Sequence, residues 1–219
     1  MADVFLLAFG AAVAATTILG WLVESSWKLK REILKAPFYP LREAPEGEVV
    51  RITGTLGFEG DAPLIAPISG RPCAAWHVIV WRQEGKSMRV LVDESESADF
   101  LLCDGDDVAF VDGTSLEMVL VKDTEQQTST FLSAPTAELS AFLTERGHDT
   151  QGVIFRHSFR VIEGVLEEGE RVVVVGVGVW EPDPSRRGEG YRDVGKRFRI
   201  GAMDDGRLLA SDEVKLTKP

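Results

Sequence analysis

An uninterrupted apolar run near the N-terminus is the feature that most limits what this chain can fold into. Residues Val4 to Val23 read VFLLAFGAAVAATTILGWLV and contain no charged side chain. At about 1.5 Å per residue, a helix of this length spans roughly 30 Å, which is the thickness of a hydrocarbon core. Lipid offers backbone groups no water, so a helix is the favoured conformation. The run predicts one transmembrane helix, with Trp21 and Trp27 near the boundary where it leaves the membrane.

The flanks of the run predict its fate and its orientation. A cleaved signal peptide would need a basic start, whereas this chain reads Met1-Ala2-Asp3, and the run is long for a signal sequence. A retained anchor is therefore favoured over a signal peptide or a buried core helix. The charged residues that follow it within twelve positions are mostly basic: Lys28, Lys30, Arg31 and Lys35. Since basic flanks stay inside, we expect the N-terminus outside and the remaining domain on the cytoplasmic side of the cell membrane.

Small residues in the run raise the question of a second copy of this chain as a partner. The spacing small-xxx-small allows two membrane helices to approach closely, so a homodimer through this helix is conceivable. The alternative is that small residues are simply common in membrane helices, and we prefer it. The residues concerned are Ala8, Gly10, Ala12 and Ala14.

The sequence divides into three parts. Residues 1–35 predict the anchor and a juxtamembrane helix, and residues 36–48, with three prolines, predict a short stiff tether. From Val49 to the last residue, 219, apolar residues alternate in short runs with turn signals every 8 to 12 residues, which is typical of a small barrel or sandwich. One helix interrupts, with Thr136 as its N-cap and Gly147 as its stop. We expect a mainly β chain: an OB-like barrel with extra strands and one inserted helix.

Charge and cysteine content exclude several functions. The formal net charge of −11 argues against non-specific nucleic-acid binding, which needs a dominant basic surface. Two cysteines and three histidines cannot form a disulfide framework or the two zinc sites of a RING finger. The sequence predicts no catalytic residue, no metal site and no cofactor.

The stretch GRPCAAWHVIVW holds the most suggestive pair, Cys73 and His77. On a helix, this spacing would fit a metal-ligand pair or a nucleophile beside its base. The β-branched run predicts a strand instead, on which the two side chains share one face about 13 Å apart. At that distance they cannot share a metal ion or a hydrogen bond, so we expect a structural cysteine.

Two other patterns have structural interpretations. Gly176 and Gly178 lack the third glycine and the following helix of a dinucleotide-binding fingerprint, so they predict a bulge or close packing within a strand. The segment from Asp93 to Glu125 holds eleven carboxylates against one lysine, Lys122. It lacks the ligand spacing of a calcium loop, and we expect a solvated acidic face.

A basic connection follows Trp180 and is the best sequence candidate for a contact site. It suits anionic lipid headgroups or an acidic protein partner, although an ordinary charged hairpin is an equal alternative. Its candidate contact residues are Arg186, Arg187, Arg192, Lys196 and Arg197, with Arg199 close behind.

Short motifs spread along residues 45 to 213 resemble a known family, the GIDE-type or "beside a membrane" domain of membrane-anchored E3 ubiquitin ligases. They are a Ser-Gly-x-x-Cys step, an Asp-Gly hairpin and a Glu-Leu-Gly step before a valine-rich strand. The residues concerned are Ser69, Gly70, Cys73, Asp104, Gly105, Glu163, Leu166 and Gly169. The resemblance implies recognition beside a bilayer. The family's second membrane span and RING finger are not expected in this chain.

These observations predict a single-pass membrane protein whose β-rich module binds a protein or lipid partner and performs no chemistry of its own. Two alternatives stay open. One is an enzyme or enzyme subunit, with a ligase-like protein as the family version. The other is a structural scaffold for neighbouring membrane subunits.

Overall fold

The computed structural model describes residues 26–60, 63–85, 87–127, 135–148, 158–183 and 195–218. Within these ranges the chain is mainly β, as predicted, with two helices: α1, residues 26–35, and α2, Ala137–Glu145. Short 3-10 turns occur at Leu41–Glu43 and Gly113–Ser115. The strands are β1 Val49–Phe58, β2 Leu64–Ile65, β3 Pro72–Cys73, β4 Ala75–Glu84, β5 Ser87–Ser97, β6 Phe100–Asp104, β7 Asp107–Val111, β8 Leu116–Val119, β9 Thr124–Gln127, β10 Phe159–Leu166, β11 Arg171–Pro182, β12 Lys196–Gly201 and β13 Leu208–Ser211.

Neither described helix has the length and apolar character to cross a bilayer. The predicted span, Val4 to Val23, lies outside the described residues, as do Arg186, Arg187, Arg192 and His157.

Five strands close into a barrel. The ring runs β1-β6-β7-β12-β11 and returns to β1, with β7 and β12 parallel and every other pair antiparallel. β13 pairs with β11 next to β12, and it carries β8 in parallel. Alternate side chains of the ring fill its interior, among them Ile52, Phe100 and Phe198, each with no exposed surface. The predicted small barrel is confirmed.

The valine run in β11 is buried on both faces. Val172 and Val174 point into the barrel, whereas Val173 and Val175 pack outside against Ile33 of α1. A strand covered on both sides reads as a continuous apolar run, which explains the lack of alternation. Helix α1 is therefore part of the folded domain.

The predicted tether at residues 36–48 is wrong. Leu41 and Ala44 are buried in the barrel core, and Arg51 of β1 donates its backbone N–H to the oxygen of Pro37 at 2.8 Å. The prolines restrict the backbone of this segment. Burial of the apolar Leu41 stabilises its position over the barrel. The domain begins at α1 and not at Val49.

A second sheet stands beside the barrel. Its order is β5-β4-β10-β9, all antiparallel. One face of it, including Trp76, Val78 and Val161, packs against α2 through Leu139, Phe142 and Leu143. Thr136 caps α2 by accepting the N–H of Leu139 at 3.3 Å, and Gly147 ends it at φ +74°, both as predicted.

Candidate functional site

The opposite face of the second sheet forms the floor of a groove. His77, Ile79 and Trp81 of β4 lie beside Arg160 and Ile162 of β10 on this floor. One wall is β8 with the segment that follows it, residues 120–122, and the other is the start of α1. The groove has two lobes of about 370 and 450 Å³ that share Ser26, His77, Ile79, Met118 and Val119.

A glycine allows the wall to approach the floor. A Cβ built on Gly164 would lie 2.7 Å from both the Cβ of Leu120 and the oxygen of Val121. Three hydrogen bonds hold the crossing segment in place: Val121 donates to Asp212, Asp123 donates to the oxygen of Glu163, and Val165 donates to the Asp123 carboxylate, at 2.8, 3.0 and 2.9 Å. The contact fixes how far apart β8 and β10 stand.

The deep part of the first lobe is apolar, and the charged side chains that line the lobe are basic. Trp81, with 7% of its surface exposed, and Ile162 lie at its floor, while Trp27 and Val121 are exposed at its mouth. None of the described residues that line this lobe carries a carboxylate. Its basic side chains are Lys30, Lys122 and Arg160, with His77 at the junction between the lobes.

The second lobe has mixed charge. His77 Nε2 lies 2.7 Å from Oδ1 of Asp93, one strand away on β5. Arg207 lies 3.0 Å from Glu32 of α1 and 3.5 Å from Glu117 of β8. Two basic side chains, Lys28 and Arg207, line this lobe together with three carboxylates, Glu32, Asp93 and Glu117. A net positive lining is therefore confined to the first lobe.

Cys73 is not paired with His77, as predicted, but the expected shared face is wrong. The chain bends at Ala74, between β3 and β4, and this bend resets the side-chain alternation. Cys73 therefore packs with Trp76 and Val78 on the α2 side, whereas His77 faces the groove. Burial, with the nearby carboxylates of Glu163 and Glu167, raises the pKa of Cys73 to about 12, which keeps the thiol protonated.

Two of the three motifs that carry the family resemblance meet in space. Glu163 is fully buried on β10, and its two carboxylate oxygens accept the backbone N–H groups of Ile68 and Ser69 at 2.8 and 2.9 Å. Leu166, three residues later, pairs with Ala75, two residues after Cys73. Residues about 95 positions apart thus fix one loop, 66–71, against the second sheet. The Asp-Gly hairpin joins β6 and β7, with Gly105 at φ +65°.

The described part of the predicted basic connection is engaged within the barrel. The Arg197 side chain is 11% exposed and lies 2.7 Å from Glu181 and 3.3 Å from Glu59. Its guanidinium carbon stands 4.5 Å from the ring centre of Phe110, which Arg199 also covers. Lys196 is exposed on β12. Arg197 therefore covers part of the barrel surface, whereas Lys196 has no ion-pair partner among the residues that the structure describes.

The predicted acidic face is only partly solvated. Asp99 accepts the N–H of Gly113 at 2.9 Å, Asp112 caps the turn that follows it, and Asp123 binds β10. Glu94 lies 2.6 Å from Arg146 at the end of α2.

The prediction of close packing at Gly176 and Gly178 is supported. A Cβ on either residue would lie within 2.5 Å of β12 atoms, so both glycines allow the strands to pack closely.

None of the family models, curated proteins or solved structures compared with the chain matches it. The sequence analysis did not predict the groove, because four distant stretches of chain line its first lobe alone. The local signals were His77 and Ile79 on a strand, and a glycine, Gly164, within another. Neither signal indicates which other segments pack against its strand.

Proposed function

We propose that this chain is a single-pass, membrane-anchored recognition module that binds its partner in the groove beside the bilayer. The observation that carries the proposal is the position of the groove. Its lining begins at Ser26 and Trp27, three and four residues after Val23, where the predicted span ends. Three residues of chain reach at most about 11 Å, so an inserted span holds the groove mouth at the membrane surface.

The finer fold assignment supports a binding role. Numbered along the chain, the ring strands have the order 1-2-3-5-4, with the third and fifth parallel. We assign this order to the OB fold, whose barrels bind ligands with one face and its adjoining loops. Here strands β2 to β5 are inserted after the first ring strand, and β8 to β10 after the third, and both insertions line the groove.

The relation to GIDE-type domains is part of the same proposal. The contact between Glu163 and the Ser69 backbone supports it, because it joins two motifs on which the resemblance rests. The protonated thiol of Cys73 disfavours a thiol-dependent enzyme at that position. Recognition without chemistry is therefore preferred over an enzyme that depends on this thiol.

Membrane attachment is tested with the full chain in isolated membranes washed with alkaline carbonate. We expect the native chain to stay in the pellet, because an inserted helix is not released by charge screening or pH. Ala12→Arg, which places a charge in the middle of the predicted span, should move the chain to the supernatant. A native chain that is released by the wash contradicts the anchor.

Partner binding in the groove is tested by photo-crosslinking in intact membranes. A benzophenone amino acid is placed at Val121, which is 46% exposed at the groove mouth, or at Val179, which is 49% exposed on β11 outside it. The proposal expects a discrete protein or lipid adduct from position 121 and none from position 179. Equal labelling from both positions, or none from either, argues against recognition in the groove.

A further inference from the structure

The charged lining of the groove selects among possible partners. The chain carries a formal net charge of −11, yet the charged residues described in the first lobe are all basic. Lys30 lies 2.5 Å from Glu213 and Arg160 lies 2.7 Å from Glu125, so part of their charge is neutralised from behind. Lys122 has no ion-pair partner among the described residues and is exposed at the rim. An anionic group at this rim would balance the charge of Lys122.

The depth of the same lobe is apolar. Ile79, Trp81 and Ile162 form its floor, and Met118 and Leu120 its wall. The Arg160 guanidinium carbon lies 5.8 Å from the Trp81 ring centre, so the basic rim and the apolar floor are adjacent. A ligand with a negative head and a hydrocarbon tail matches both parts of the lobe.

We infer that the first lobe binds an anionic phospholipid of the bilayer that carries the chain. The phosphate lies against Lys122 and Arg160, and one acyl chain lies along Trp81, Ile79 and Ile162. This inference rests on the proposed function, because the anchor places the lobe within reach of the lipid surface. Anionic headgroups attract basic residues close to a membrane, and the exposed Trp27 suits the same interface.

Headgroup selection is tested with the full chain in a neutral detergent by native mass spectrometry. Phosphatidylglycerol and phosphatidylcholine with identical acyl chains are the two probes. We expect tighter binding of phosphatidylglycerol, and Lys122→Gln should weaken that binding about fivefold, as for one basic side chain near an anionic surface. Phosphatidylcholine also carries a phosphate, but its choline cation offsets that charge, so its binding should weaken by a smaller factor. Lys122 is exposed, so the substitution leaves the fold intact.

Lys215→Gln is the matched control, because Lys215 is an exposed lysine outside the groove and outside the basic connection after Trp180. It should leave both affinities unchanged. Equal binding of the two lipids, or an unchanged affinity in Lys122→Gln, overturns the inference. A loss confined to Lys215→Gln places the lipid site outside the groove and also overturns it.

The acyl position is tested with phosphatidylglycerol brominated in its chains, which quenches nearby tryptophan fluorescence. Trp81 and Trp76 lie on the same strand with similar burial, but Trp81 faces the groove and Trp76 faces α2. Trp81→Phe should remove part of the quenching, whereas Trp76→Phe should not. The reverse result excludes an acyl chain in the groove. A protein adduct at position 121, together with no lipid selectivity, would retain the recognition function and reject this inference.

Discussion

At the residue scale, buried polar groups fix this fold where apolar packing alone would leave freedom. The Glu163 carboxylate is the clearest case, because it is fully buried and accepts two backbone N–H groups from a loop about 95 residues away. Charge-assisted hydrogen bonds to a carboxylate are roughly twice as strong as neutral ones. One side chain thus determines where loop 66–71 lies on the second sheet.

Glu163→Gln should destabilise the fold. The amide presents an NH₂ group to one of the two backbone donors, so that donor loses its acceptor in a buried place. We expect the free energy of unfolding to fall by about 1 to 3 kcal/mol, measured by urea denaturation. Glu168→Gln, the same change on an exposed turn residue, should stay within about 0.5 kcal/mol of the native chain. Equal effects of the two substitutions would contradict the role of Glu163.

The Cys73 thiol should be unreactive in the folded protein. Its pKa is raised from 9.0 to about 12, so at pH 7 the thiolate fraction falls about a thousandfold, and burial blocks reagents as well. Iodoacetamide labelling followed by peptide mass spectrometry should find Cys73 modified only after denaturation. The half-buried Cys103 on β6 serves as the internal reference. Rapid labelling of Cys73 in the folded chain would instead restore a catalytic thiol as an option.

At the element scale, local signals were sufficient for helix α2 and insufficient where a distant contact shapes a strand. The Thr136 cap, the three apolar residues of α2 and the Gly147 stop are all local, and the predicted helix agrees with the structure. The sequence of GRPCAAWHVIVW predicts one strand that carries both Cys73 and His77, but a bend at Ala74 divides it. At the bend, Ala74 donates its backbone N–H to the oxygen of Leu166, 92 residues away, at 2.8 Å. Strand alternation cannot encode such a contact.

Gly164→Ala tests whether the crossing of β10 by residues 120–121 sets the groove. The added Cβ would lie 2.7 Å from Leu120 and Val121, so the wall must move away from the floor. We expect a loss of about 1 to 3 kcal/mol in the free energy of unfolding. Gly57→Ala on β1 is the control, since its Cβ would lie 3.9 Å from the nearest heavy atom. A loss in the control as large as that in Gly164→Ala would mean that strand glycines in general, and not this crossing, matter.

At the scale of the whole molecule, the structure replaces the picture of a domain on a tether. Helix α1 packs on the outside of the barrel, and residues 36–48 cover the core. An anchor that enters α1 would therefore hold the barrel and the groove in a fixed orientation to the bilayer. Recognition of a lipid or a membrane-bound partner benefits from that order, because less orientational freedom is lost on binding.

Ile33→Ala tests the docking of α1 in the full chain. Ile33 has no exposed surface and packs between Val173 and Leu209, so its truncation leaves a cavity that costs about 2 to 5 kcal/mol. Leu34→Ala on the same helix is the control, because that side chain is 54% exposed. Limited proteolysis should cut α1 faster in Ile33→Ala than in Leu34→Ala, and crosslinking from Val121 should weaken in the same variant. If α1 were a free spacer, both variants would be cleaved at the native rate, and the groove would lose its fixed distance from the membrane.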